Sequence, residues 1–208
     1  MKTINICGVN IDIYNKPGIS VSGGADSALL LYILMTNATD TIHIFTTGNN
    51  QKFRRNVIVA TSLVEKLIQI TNNSNVEHHI SYEEIQNTKT LYPKLGFYKK
   101  TGLVDVIYTG ITANPPKHIA ATFKFPITEN NRDPEVQHNT KLGIFYTPFC
   151  NHDKSKIAEI YKKLKITEVF NYTRSCEYHN EMSIQDPGLG HCGECWWCQE
   201  RIWAFGRL

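Results

Sequence analysis

The chain has 208 residues, of which 41% are hydrophobic and 20% charged, with a formal charge of +3. This length holds one sizeable core and a small appendage, so one domain over residues 1–208 is expected. The small charge argues against a broad nucleic-acid surface, and no run approaches the ~20 apolar residues that span a bilayer.

The first twenty residues carry Asn5, Asn10, Asp12, Asn15 and Lys16, and so lack the apolar stretch of a secretory signal. A cytoplasmic protein is the expectation, and there cysteines serve as free thiols or metal ligands. Within that segment, Thr3 to Cys7 and Val9 to Tyr14 alternate about Gly8, predicting two short strands or an edge hairpin. Ile19 to Val21 is a further strand. It leads into Ser22-Gly23-Gly24-Ala25-Asp26-Ser27, after which Ala28 to Met35 reads as a buried helix ending near Asn37.

Thr41 to Thr47 predicts the next strand, closed by the turn Gly48-Asn49-Asn50. From about Phe53 to Ile70, apolar residues at Val57, Ile58, Ala60, Leu63, Val64, Leu67 and Ile68 keep helical spacing. Lys52, Arg54 and Arg55 cluster at its start and read as a solvated face. Val76 to Ser81, which includes His78 and His79 as ordinary partly buried residues, is a third strand of the alternation. Leu103 to Tyr108 is a fourth, and Val169 to Tyr172 a fifth. Strands alternating with helices predict an α/β fold: a parallel five-stranded sheet with helices on both faces.

Residues 112–142 have no sustained period and include Pro115-Pro116, Pro126 and Pro134, which predicts a long functional loop with short helical segments. Asp153 then caps a helix from Lys154 to about Lys163, with Ile157, Ile160 and Leu164 on one face.

The segment Ser22 to Ser27 has the chemistry of an anion loop. Paired glycines let the backbone approach a phosphate, the first N–H groups of the following helix are unspent, and the serines add hydroxyl donors. Asp26 suits a magnesium ion. An ordinary turn with a capped helix is the competing reading. The loop lacks the lysine of a Walker motif. Thr47 and Gly110 lie at strand ends on the sheet edge where such folds bind ligands, and join Ser22, Gly23, Gly24, Ala25, Asp26 and Ser27 as the candidate ATP site. Gly110 is equally explained as a turn residue.

Cys192-Gly193-Glu194-Cys195-Trp196-Trp197-Cys198 places three thiols at three-residue spacing, with Cys176 upstream. Four thiolates close a tetrahedron, so a structural zinc knuckle over 176–198 is expected, with an iron–sulfur cluster and unliganded thiols as alternatives. Cys7 and Cys150 read as packed thiols. Trp196, Trp197, Trp203 and Phe205 read as packing around the knuckle, and His191 as a group beside the metal thiols. His152 is a surface candidate.

The order Ser-Gly-Gly-x-Asp-Ser after a strand resembles the PP-loop ATP pyrophosphatases. Its pairing with Ser175-Cys176 and with Cys192 to Arg201, followed by Ala204-Phe205, is similar to the 7-cyano-7-deazaguanine synthase family. Thr147-Pro148-Phe149 to Ile157 also resembles that family's proline-containing strand end, with Lys154 as its helix-starting lysine. The resemblance implies ATP, Mg2+ and Zn2+ as cofactors, and Ser22, Asp26, Ser27 and Lys154 as catalytic residues. It implies that 7-carboxy-7-deazaguanine is adenylated, takes ammonia, and is dehydrated to the nitrile after a second activation. A homodimer is a family expectation, and no nucleic acid or membrane partner is expected. The family's Gly-Tyr-Pro-Asp-Cys segment has no counterpart after Gly110, where Ala113-Asn114-Pro115-Pro116-Lys117 stands instead.

Overall fold

The structure, a computed structural model, describes residues 1–49, 54–83, 96–123, 145–176 and 190–208. Its first element follows from turn chemistry. Cys7 and Gly8 both take positive φ (52° and 82°), the geometry of a tight hairpin turn whose twist matches paired strands. β1 (Lys2–Ile6) and β2 (Val9–Ile13) therefore pair antiparallel as a separate two-stranded sheet. Val9, Ile11 and Ile13 point into the core, and the polar residues between them face outward.

The main sheet is made of β3 (Pro17–Ser20), β4 (Ile42–Asn49), β5 (Val76–Glu83), β6 (Val106–Tyr108) and β7 (Phe145–Tyr146). All pairings are parallel, in the order β5-β4-β3-β6-β7. The order runs one way from β3 to β4 and the other way from β3 to β6. The carboxyl ends of β3 and β6 thus flank a topological switch point, where open α/β sheets form a ligand crevice.

α1 (Ala25–Asn37) is apolar around most of its circumference, and Leu29, Leu30, Leu31, Ile33 and Leu34 are buried. That pattern marks a helix enclosed on all sides. It packs against α2 (Arg54–Thr71), α4 (Lys154–Leu164) and α5 (Thr167–Phe170), which share one side of the sheet. Opposite them, Phe45, Val104 and Ile107 form a second cluster with Tyr98, which lies in a helical turn at 96–100. α3 (Lys117–Thr122) follows β6, and α6 (Trp196–Phe205) lies against α4. Among the described residues no helix is long and apolar enough to cross a membrane.

Several expectations need correction. Val169 to Tyr172 is not a strand: residues through Phe170 belong to α5, and the fifth strand is the two-residue β7. Gly48 and Asn49 are not a turn, because β4 continues beside β5 as far as the Asn49–Glu83 pairing. The fourth strand is only Val106–Tyr108, since Leu103 and Val104 precede it as packing residues. The helix from Lys154 stands as expected, with Asp153 accepting from the Ser155 N–H at 3.0 Å. Of the long loop, α3 is described, while 124–144, Lys52 and the side chains of Arg54 and Arg55 lie outside the described residues.

The hairpin is fixed to the main sheet by phenols. Tyr108 Oη donates to the Asp12 carbonyl at 2.6 Å and accepts from the Tyr14 N–H at 2.9 Å, while Tyr146 Oη accepts from the Asp12 N–H at 3.1 Å. Burial pushes the Tyr108 phenol well above its ordinary range, against the pull of the Tyr14 N–H. Tyr108→Phe strips both partners of their oxygen and should cost about 1–3 kcal/mol. A urea midpoint unchanged from the parent would show that the hairpin does not depend on this phenol.

Candidate active site

The sequence Ser22 to Ser27 folds as a turn because Gly23 takes φ +88°. A Cβ there would also lie 2.7 Å from Val59 Cγ1, so both conformation and space demand glycine. Gly24 is the residue preceding α1, and its carbonyl receives the Ala28 N–H at 3.0 Å and the Ser27 hydroxyl at 3.1 Å. The Ser22 hydroxyl accepts from the Gly24 N–H at 3.4 Å. No side chain caps the N-terminus of α1, so its first N–H groups remain as anion donors beside Asp26.

Gly110 meets this loop from β6. A Cβ on it would stand 2.6 Å from the Ser27 nitrogen and 2.8 Å from the Asp26 carbonyl carbon. The glycine thus does more than turn the chain: it lets two loops touch at the switch point. Thr47 lies farther along the same edge, with its hydroxyl 3.3 Å from that of Ser81.

Lys154 connects the loop to the cysteine segment. It is 2% exposed, with Nζ 3.0 Å from Asp26 Oδ2 and 3.3 Å from Glu200 Oε2, and Glu200 is wholly buried. A second link is Tyr161 of α4, which donates to the Ala25 carbonyl at 2.8 Å; burial raises its phenol far above the ordinary range. Asp26 Oδ1, by contrast, is buried without a hydrogen-bond partner, as are the Thr109 and Thr147 hydroxyls just beyond β6 and β7.

Arg174 is the largest such group. Its N–H donates to the Gly23 carbonyl at 2.8 Å, which holds the residue against the loop. The side chain is 7% exposed, yet Nε and both terminal nitrogens have no hydrogen-bond partner. A Cβ on Gly190 would fall 2.8 Å from the guanidinium. Its neighbour Arg201 differs at its terminal nitrogens: Nη1 donates to Thr173 Oγ1 and Nη2 to the Phe170 carbonyl, both at 2.9 Å, and the plane covers the Phe170 ring at 3.5 Å, although its Nε too lacks a partner. Burial pulls Arg201 down to about 10. Orphaned buried donors of this kind are uncommon, and an anion is the partner that suits them.

The four cysteines converge as the spacing requires. All four sulfurs lie within 4.8 Å of one another, with Cys192–Cys198 at 3.9 Å and Cys195–Cys176 at 4.0 Å. A tetrahedral ion at about 2.3 Å from each sulfur separates them by about 3.8 Å, so the donor set fits one metal ion. Backbone N–H groups of Cys192 and Cys195 point at the Cys176 and Cys192 sulfurs, at 3.5 and 3.2 Å. Burial opposes ionisation of Cys192, but backbone donors at Cys195 and Glu194 outweigh it and bring the thiol to about 6. Trp197 packs against the cluster.

His191 stands with Nδ1 3.7 Å from Cys198 Sγ, beside the thiols as expected, and burial followed by Arg201 and Arg174 lowers it to about 4. Cys7 and Cys150 are not part of the convergent set. His152 contributes a backbone carbonyl that receives the Ala113 N–H at 2.9 Å.

The structure therefore brings together Ser22 to Ser27, Gly110 and Lys154, and separately Cys176, Cys192, Cys195 and Cys198. Sequence reasoning missed Glu200, Tyr161, Thr109 and Thr147. Arg174, two residues past the segment read as a fifth strand, was given no role. An arginine two residues before the first metal-type cysteine was the available signal.

No protein-family model matches the chain, and no curated protein matches it. Among solved structures, 74% of the chain aligns with 66% of an NH3-dependent NAD synthetase from Campylobacter jejuni at 16% identity and a TM-score of 0.38. The chain thus spans just under two thirds of that protein. A tRNA thiolase from Methanococcus maripaludis, with its 4Fe–4S cluster, aligns over 93% of this chain and 72% of its own at 11% identity, TM-score 0.46. An NMN synthetase from Francisella tularensis aligns over 92% and 77% at 13% identity, TM-score 0.44. With every score below 0.5, these likenesses carry no part of the functional reading.

Lys154→Met leaves Glu200 buried without its cation and should destabilise the protein by about 3–5 kcal/mol. Lys154→Met with Glu200→Gln should regain part of that loss in urea denaturation. Equal stabilities for all three proteins would remove the ion pair from the fold's support.

Proposed function

We propose that the chain is an ATP-dependent adenylating ligase of the PP-loop type, built as one catalytic domain with a cysteine-bound zinc staple. The observation that carries this is the loop at the switch point: an uncapped helix N-terminus with a partnerless Asp26 oxygen and a partnerless, buried Arg174 guanidinium beside it. A site this rich in unspent donors suits a polyphosphate, and the glycines admit it close to the backbone.

In this reading Ser22, Gly23, Gly24, Ala25 and Ser27 hold the pyrophosphate as it leaves. Gly110 and Thr47 border the nucleotide. Lys154 holds Asp26 in place and adds positive charge near the phosphates, and Asp26 Oδ1 would help hold Mg2+, which would offset phosphate charge. Arg174 binds an anionic oxygen of the departing group. Zinc held by Cys176, Cys192, Cys195 and Cys198 has no open position and supplies structure alone.

The substrate proposed is 7-carboxy-7-deazaguanine. Its carboxylate oxygen attacks the α-phosphorus and pyrophosphate departs; ammonia then adds to the acyl carbon as AMP leaves, giving the amide. A second ATP activates the amide oxygen, whose departure with AMP and loss of the nitrogen-bound protons give the nitrile. The family's substrate segment has no counterpart after Gly110, which favours as second reading an adenylating ligase acting on another carboxylate, on a protein or on a nucleic acid. A nucleotide-binding module without catalysis is the remaining alternative. A soluble cytoplasmic homodimer completes the proposal.

Protein incubated with magnesium ATP, ammonium and the deazaguanine acid should release pyrophosphate and yield 7-cyano-7-deazaguanine by mass. Pyrophosphate release with a different acid, and none with this one, would select the second reading. ATP binding with no turnover on any acid would select the module. Asp26→Asn should abolish turnover; with Glu200 still pairing Lys154 the protein should remain folded, at a lowered melting temperature. Arg174→Ala removes a charged hydrogen bond worth about 1.5–3 kcal/mol, so kcat/KM should fall about 10- to 100-fold.

Metal analysis should give one zinc per chain, and Cys198→Ser should lose it together with several degrees of Tm. Iron in place of zinc would move the site to the iron–sulfur alternative.

A further inference from the structure

The side chains of β4 and β5 alternate between the two faces of the sheet, and their register decides which residues meet. His43 pairs with Glu77 and Phe45 with His79, so all four residues share one face. That face carries the second apolar cluster, on the side away from α1. His79 stacks on His43 at 5.3 Å and on Phe45 at 5.2 Å, and Phe45 in turn stacks on Tyr98 at 4.8 Å. The two imidazoles are therefore held in fixed planes by packing rather than left to rotate.

Three lone-pair atoms converge there. His43 Nδ1 is 3.1 Å from His79 Nε2 and 3.4 Å from Glu77 Oε2, and the last two atoms are 3.7 Å apart. A proton shared by the imidazoles satisfies one of these contacts and leaves the carboxylate facing the same two nitrogens. One cation satisfies all three. The circle through the three atoms has a radius of about 2.0 Å, the length of a zinc–nitrogen or zinc–oxygen bond of about 2.0–2.2 Å.

The geometry points to a second metal site, in which His43 Nδ1, His79 Nε2 and Glu77 Oε2 bind one divalent transition-metal ion of the zinc class. Two imidazoles and a carboxylate select such an ion over Mg2+ or Ca2+, which require oxygen ligands in larger number. Three protein ligands leave a fourth position for water. Access is available: Glu77 is largely exposed, and His43, itself buried, also borders an open groove of about 630 Å³ shared with Lys16, Asp40 and Asn75.

This site is independent of the cysteine cluster and of the proposed ATP chemistry. His43 lies near the start of β4, four residues and about 13 Å of strand before Thr47. An ion there ties β4 to β5 at the end of the sheet remote from the phosphate loop.

The test is calorimetric titration of the purified protein with Zn2+ alone, its cysteine site already filled, beside Glu77→Ala and His79→Ala. Both substitutions fall on exposed or half-buried positions, and matching circular-dichroism melts without added metal establish that the variants are folded. The wild type should take up one further ion per chain, each variant should bind at least tenfold more weakly, and Zn2+ should raise Tm only in the wild type. No second ion in the wild type, or binding by both variants as tight as the wild type's, overturns the site. Cobalt supplies a second readout: its visible absorption in the added site should lack the strong sulfur charge-transfer band of the cysteine site. A sulfur band on the second ion assigns it to thiols and likewise overturns the proposal.

Discussion

One buried ammonium holds the architecture of the candidate site together. Lys154 opens α4, and its charge is shared by Asp26 at the start of α1 and Glu200 in the helix of the cysteine segment. A lone cation at this depth would be costly, and so would either carboxylate on its own; each is tolerated because the others are present. Geometry follows from that electrostatic need. Three helices from distant parts of the chain must bring their polar atoms to one point, and the phosphate loop lies on that point.

Two kinds of buried polar group surround it, and the difference between them is informative. Tyr161 and the two terminal nitrogens of Arg201 are spent on carbonyls and a hydroxyl, and so serve the packing of α4, α5 and α6. Arg174, Asp26 Oδ1 and the hydroxyls of Thr109 and Thr147 are unspent. The first group makes the edge rigid, while the second leaves it chemically open: Arg174 and the two hydroxyls are the unsatisfied donors that preorganised anion stabilisation requires, and Asp26 Oδ1 is an acceptor suited to a cation.

Much of this was legible in the sequence where local chemistry decides structure. The paired glycines, the Asp153 cap and the cysteine spacing each specify geometry within a few residues, and the structure places all of them as read. Val169 to Tyr172 misled because Val-Phe-Asn-Tyr is too short to carry a period that would tell strand from buried helix. β7 escaped notice because two residues carry no pattern at all, and its pairing with β6 is set by neighbours in space. The same holds for Gly48 and Asn49, turn formers by composition that a parallel neighbour keeps extended. Arg174 and Glu200 could be seen as residues but not as a site, because burial and missing partners are properties of the folded whole.

The shared ion pair also has a kinetic meaning. Asp26, Lys154 and Glu200 are far apart along the chain, and closing such long loops costs entropy before any contact repays it. α1 has apolar surface nearly all round, so until α4 arrives that surface and the charge of Asp26 are both exposed to solvent. Docking of α4 therefore both covers the core helix and neutralises the loop. A chain in which α4 is undocked exposes apolar surface as well as an unneutralised carboxylate, so the same junction guards both solubility and the site.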